Sequence, residues 1–107
     1  VVGIDLDYDI IEVAAANVEA NGVAGHVALL TDPVEDFGDR FDIVVANIVI
    51  GDLTPLMPAI VDLADQAVII SGFLDDQLEK LLTQVDITVT TRTTLDGWGC
   101  AVLPPTN

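Results

Sequence analysis

The chain reads as an α/β domain whose mostly parallel sheet is closed by an antiparallel β-hairpin. Three observations predict this class. Apolar strand-like runs alternate with helix-like spacings as far as Val85, the pattern of a parallel sheet with crossover helices. Two of those runs, Val1 to Asp5 and Phe41 to Ile48, end in polar residues, Asp5 and Asn47. The chain closes on two strand-forming stretches around Asp96-Gly97, a hairpin-turn dipeptide. Strand carboxyl ends line the ligand crevice of an open parallel sheet. The two polar residues therefore aim a carboxylate and a carboxamide at one edge, as a cofactor site would.

Taken in order, Val1 to Asp5 reads as a fully buried parallel strand. Asp9 and Glu12 have the spacing of a capping box, with Asp9 as N-cap. Ile11, Ala14, Ala15 and Val18 follow with the i, i+3, i+4, i+7 spacing of a helix. Asn21-Gly22 stops that helix, Gly22 being suited to a left-handed cap. His26 to Leu30 is the second strand, Thr31 to Arg40 a polar loop or short helix, and Phe41 to Ile48 the third strand. Leu53 to Gln66 is expected to be helical, its regular part confined by Pro55 and Pro58. Ala67 to Ser71 is the fourth strand, and Gly72-Phe73 opens a loop. Asp75 or Asp76 caps a helix that runs to Val85. Ile87 to Thr94 is rich in Val, Ile and Thr and reads as a strand. Trp98 to Leu103 is the return strand, and Pro104-Pro105 ends regular structure.

A length of 107 residues allows one domain at most, and 51% apolar residues suffice for a core. No apolar run reaches ~18 residues, which speaks against a membrane-spanning helix. There is no initiator Met and no basic n-region, so no signal peptide is expected. The single cysteine, Cys100, has no internal disulfide partner, which fits a reducing, cytoplasmic compartment. Net charge is −15, from eighteen acidic and three basic side chains. That surface repels phosphate backbones and so disfavours direct nucleic-acid binding, whereas it steers basic partners. Adaptation to high salt is the plain alternative explanation of the acidity.

Each candidate residue has a functional and a structural reading. Asp5 can accept both hydroxyl hydrogens of a ribose diol, a charge-assisted arrangement, or it is an N-cap or a solvated loop acid. Asn47 ends a strand otherwise made of Ile and Val, where an amide without partners is costly. It either meets a ligand with its oxygen and its NH2 or caps the following loop. Asp32 can accept from an adenine amino group or initiate a turn with Pro33. Asp5, Asp7 and Asp9 have the spacing that opens a calcium loop, but its sixth and twelfth positions hold Ile10 and Ala16 instead of Gly and Glu. His26 reads as a surface residue, Cys100 as a buried structural thiol, and Trp98 as a packing residue of the hairpin. Ser71 lacks a nucleophile elbow around it. No glycine-rich strand-to-helix turn occurs in the chain.

V-V-G-I-D-L-D and the helix ending E-A-N-G-V resemble the second strand and following helix of class I S-adenosylmethionine-dependent methyltransferases, a Rossmann-like fold. F-D-I-V-V-A-N-I-V-I-G-D-L is more specifically similar to the ribosomal protein L11 methyltransferase family. Ile69 to Leu74 with Gln77, and Gly97-Trp98 before a short apolar strand, resemble the same family in the same order. Ile50 and Asp52 depart from the smaller residue and the proline usual in that loop. The resemblance implies S-adenosylmethionine as cofactor, with Asp5 on its ribose, Asp32 on its adenine, and Asn47 beside the methyl donor and the substrate amine. It further implies methyl transfer to amino groups of a basic ribosomal protein. A first strand and Gly-rich loop are expected to precede Val1, making residues 1–107 the carboxyl-terminal portion of one methyltransferase catalytic domain. The alternative is a non-catalytic acidic α/β module that binds a partner, or an inactive fragment.

Overall fold

In a computed structural model, which describes residues 1–105, the chain divides after Phe37 into two units, each with its own sheet. The first unit contains β1 (Val2–Ile4), α1 (Tyr8–Ala20) and β2 (Ala28–Leu30), with short 3-10 turns at Ala24–His26 and Val34–Asp36. β1 and β2 pair in parallel, with Ile4 opposite Leu30. The second unit contains β3 (Phe41–Asn47), α2 (Ile50–Leu63), β4 (Ala64–Leu74), α3 (Asp75–Val85), β5 (Thr91–Leu95) and β6 (Trp98–Leu103). Its sheet has the order β3-β4-β6-β5, with β3 and β4 parallel and the remaining pairs antiparallel. The expected α/β class, with its closing hairpin, is therefore the observed one.

In the first unit the helix starts differently from expectation. Asp7, not Asp9, is the N-cap: its backbone is extended and its Oδ1 accepts the Asp9 N–H at 2.9 Å. Asp9 lies in the first turn, where its charge opposes the positive end of the helix dipole. The stop at Asn21-Gly22 is as expected. Gly22 has φ +68°, its N–H donates to the Glu19 carbonyl at 3.0 Å, and the Val23 N–H donates to the Val18 carbonyl at 3.1 Å. Those two bonds form a Schellman cap. Ile11, Ala14 and Val18 are the half-buried residues of α1, whereas Ala15 is exposed. The expected full burial of the first strand is not met. β1 has one strand neighbour in its unit, and Val2 and Ile4 are exposed. His26 belongs to the 3-10 turn, so the second strand begins at Ala28.

The second unit packs α2 and α3 on one face of its sheet. Leu53, Met57, Ile60 and Val61 of α2 meet Leu78 and Leu81 of α3 over Val68, Ile70 and Leu103, all of them buried. α2 starts three residues earlier than expected, because the Val49 carbonyl accepts both the Asp52 and Leu53 N–H groups, at 3.0 and 2.9 Å. Pro55 and Pro58 thus lie in the helix interior. Burial of the i, i+4, i+7, i+8 face holds the helix despite their missing donors. α2 ends at Leu63, not Gln66. The Arg40 guanidinium takes the Asp62 and Ala64 carbonyls at 2.5 and 3.1 Å and the Asp65 carboxylate at 2.6 Å, a cation well placed at a helix C-terminus. Neither Asp75 nor Asp76 caps α3. The N-cap is Leu74, whose N–H donates to Gln77 Oε1 at 2.8 Å. β5 is shorter than expected, beginning at Thr91. Asp96 and Gly97 have φ +52° and +85°, the two positive values that a type I′ hairpin turn requires. No helix among the described residues is long and apolar enough to cross a membrane.

Candidate functional site

In the first unit, the ends of β1 and β2 bring Asp5 and Asp32 to neighbouring strand termini. The Asp5 N–H donates to the Leu30 carbonyl at 3.2 Å, and Asp32 follows two residues after Leu30. Asp5 Oδ1 accepts the Asp7 N–H at 2.9 Å. The Asp5 carboxylate is exposed and keeps a second oxygen for a further donor. Asp5 is thus not the N-cap of α1; it holds the turn before the cap. Asp32 is exposed, and its side chain makes no hydrogen bond to the described residues. The turn that follows closes from the Asp36 N–H to the Pro33 carbonyl at 3.1 Å.

In the second unit, Asn47 ends β3 opposite Ser71 of β4, and the Ile48 N–H donates to the Ser71 carbonyl at 3.1 Å. Ser71 pairs with Cys100, and Cys100 with Thr93. One row of four small polar residues therefore crosses the whole sheet. Strand alternation puts this row on the face away from Ala46, Ile70 and Ala101, which are buried under α2 and α3. An open depression of about 480 Å³ lies over the row, with Leu95 and Trp98 of the hairpin on its lining.

Asn47 is exposed, so the desolvation cost expected of it does not arise. Trp98 is 57% exposed and lines the depression instead of packing the hairpin. Cys100 is half-buried and also lines it, where a buried structural thiol was expected. Gly72 does not open a loop: β4 continues through it to Leu74, with Gly72 at φ +92°.

The hairpin carrying Leu95 and Trp98 is tied to the start of α3. The Asp75 N–H donates to the Gly97 carbonyl at 2.9 Å. Arg92 of β5 grips both Asp75 carboxylate oxygens, at 3.1 and 3.0 Å, and the Asp75 carbonyl at 3.0 Å, and it also bonds Glu79. Hydrogen bonds from Arg92, and then Thr94, hold the Asp75 carboxyl below its ordinary value, while Asp75 and Glu79 push Arg92 above its own.

Residues 1–104 match the family model described as Ribosomal protein L11 methyltransferase (PrmA). The chain belongs to this family. It is 39% identical over 83 residues to the ribosomal protein L11 methyltransferase of Shewanella pealeana, covering 76% of this chain and 28% of that protein. Its identity to the same-named protein of Syntrophotalea carbinolica is 37% over 84 residues, covering 77% of this chain and 27% of that one. The chain thus spans little more than a quarter of the length of these curated relatives. Among solved structures, the ribosomal protein L11 methylase of Lactobacillus delbrueckii subsp. bulgaricus superposes with a TM-score of 0.89 at 23% identity, over 99% of this chain and 58% of that one. An RNA methyltransferase from Salinibacter ruber, crystallised with S-adenosyl-L-homocysteine, gives 0.76 at 17% identity, over 99% of this chain and 66% of that one. These superpositions place the fold among the Rossmann-like methyltransferases, as the sequence resemblance implied.

Proposed function

We propose that this chain contributes the carboxyl-terminal portion of a catalytic domain that methylates amino groups of ribosomal protein L11, using S-adenosylmethionine, in the cytoplasm. The observation that carries this reading, within the matched family, is the exposed Asn47 carboxamide at the end of β3, opening onto a depression with an apolar wall. Each unit offers donors and acceptors of the kind the cofactor needs: in the first, Asp5 has a carboxylate oxygen left for ribose hydroxyls and Asp32 an unengaged carboxylate for the adenine amino group; in the second, taken by itself, Asn47 offers both an acceptor and a donor. S-adenosylmethionine, when bound, would supply an electrophilic methyl group on its sulfonium sulfur, which would leave with the electron pair of that bond.

The residues of this chain position the acceptor rather than perform acid-base chemistry. Asn47 Oδ1 and the Ile48 carbonyl oxygen accept the two hydrogens of a neutral amine and so turn its lone pair outward. Leu95 and Trp98 suit the methylene chain of a lysine, which favours a lysine side chain over an N-terminal amine. The net charge of −15 draws a basic ribosomal protein toward the site.

Asn47→Ala in the protein that carries this chain tests the reading. Turnover on the ribosomal protein should fall about 100-fold, the scale of a lost positioning contact, with the calorimetric affinity for S-adenosylhomocysteine little changed. Undiminished turnover would remove Asn47 from the mechanism.

A further inference from the structure

Gly72 is confined by three independent features. Its φ of +92° is a conformation that side-chain-bearing residues enter only at a cost. It is the extra residue of a β-bulge, since Ser71 pairs with Cys100 and Phe73 with Gly99, leaving Gly72 without an opposite number. Bulges of this kind bend a strand and re-aim what lies beside it. Finally, a Cβ added at Gly72 would lie 2.6 Å from Asn47 Oδ1, 2.9 Å from the Ile48 nitrogen and 3.0 Å from the Ile48 carbonyl oxygen.

Those distances locate two oxygens as well as a clash. Asn47 Oδ1 and the Ile48 carbonyl oxygen both lie within 3.0 Å of a single point, the space a side chain would fill. The Ile48 peptide cannot easily yield, because its N–H is bonded to the Ser71 carbonyl at 3.1 Å. The Asn47 carboxamide is the softer neighbour, so any side chain at position 72 displaces it first.

We propose that Gly72 is a positioning residue for methyl transfer, its absent side chain letting the Asn47 and Ile48 oxygens converge into one two-acceptor cradle for the amine. This rests on the amine-methylation reading above. Gly72 itself touches neither amine nor methyl group; it acts through Asn47. A larger residue there leaves cofactor binding intact and spoils the direction of the amine lone pair.

The test compares Gly72→Ala, Asn47→Ala and the double variant in the protein that carries this chain. Gly22→Ala controls for backbone strain, because Gly22 also has positive φ but has nothing within 4 Å of an added Cβ. Gly72→Ala should lower kcat on the amine substrate about 100-fold, as a displacement of roughly 1 Å does, with the calorimetric Kd for S-adenosylhomocysteine unchanged. Gly22→Ala should lower the melting temperature and leave kcat alone. In the Asn47→Ala background the closest overlap is gone, so Gly72→Ala should lower the melting temperature less than it does by itself. If Gly72→Ala alone does not fold, the double variant must fold for the proposal to stand. Equal losses of melting temperature in both backgrounds, or failure of both proteins to fold, overturn it. Loss of turnover in Asn47→Ala with full turnover in Gly72→Ala sinks the role of Gly72 alone. Full turnover in Asn47→Ala sinks the amine-cradle reading beneath it.

Discussion

One carboxylate oxygen of Asp5 is committed to the fold and the other is not. Oδ1 accepts the Asp7 N–H at 2.9 Å and shapes the turn into α1. The remaining oxygen is the one available to a ribose hydroxyl, and the two duties can be separated. Asp5→Asn can keep the acceptor that holds the turn while replacing the second acceptor with an NH2 that only donates. A hydrogen bond to a charged group contributes about 1.5–3 kcal/mol. Asp5→Asn should therefore weaken S-adenosylhomocysteine binding by about 10- to 100-fold in calorimetry, with the melting temperature held near that of the parent. An unchanged dissociation constant would take Asp5 off the ribose. At this scale the sequence was informative where a residue type was out of place. Asn47 closing a run of Ile and Val was visible, and so was Asp5. Trp98 and Cys100 depart from expectation, because an aromatic or a thiol in a hairpin strand faces the core or the opening according to register alone. Register is not written in residue type.

At the scale of elements, the clamp between β5 and α3 decides whether the wall of the depression stays in place. Arg92 joins the start of α3 to the strand leading into Leu95, and its hydrogen bonds are the main cause of the lowered Asp75 pKa. The sign of the linkage follows. A carboxyl held below its ordinary value of 3.8 in the folded chain contributes stability that is fully present above that value. The contribution is lost as pH falls through the lowered folded value. Arg92→Gln should thus lower the melting temperature at neutral pH, and the gap from the parent should narrow progressively as pH falls below about 3.8, the bond to the Asp75 carbonyl keeping a part that acid does not remove. Thermal melts of both proteins at several pH values read this directly; a gap that does not narrow in acid would contradict the clamp. The hairpin was legible as far as its turn, since Asp96-Gly97 names the turn type. The clamp was not, because Arg92 and Asp75 are distant in sequence. Element ends followed the same division. Asn21-Gly22 carries its own stop signal, and α1 ends there. α2 starts on a backbone carbonyl of Val49 and ends under the side chain of Arg40, neither of which leaves a local mark. β4 runs on past Ser71 because Gly72 supplies a bulge, where glycine had suggested a loop.

Over the whole molecule, charge is the dominant unbalanced quantity. Of the three basic side chains, Arg40 bridges Asp62 and Asp65, and Arg92 bridges Asp75 and Glu79. Among the described residues the other fourteen acidic side chains have no ion pair, and the chain as a whole carries a formal net charge of −15. Like charges on one chain oppose compaction. Salt shortens their reach, from about 10 Å at 0.1 M to about 3 Å at 1 M. The melting temperature should therefore rise steeply between 0.1 M and 1 M sodium chloride. Salt can also strengthen apolar burial, so the rise has to be assigned to screening by a second comparison. Asp39→Asn with Asp42→Asn removes two exposed carboxylates that make no ion pair. If screening is the cause, the doubly substituted protein melts higher than the parent at low salt and gains less from added salt. If burial is the cause, the two curves run parallel. A parent melting temperature indifferent to salt would mean that the acidic surface costs the fold nothing, leaving solubility and attraction of a basic partner as its physical roles.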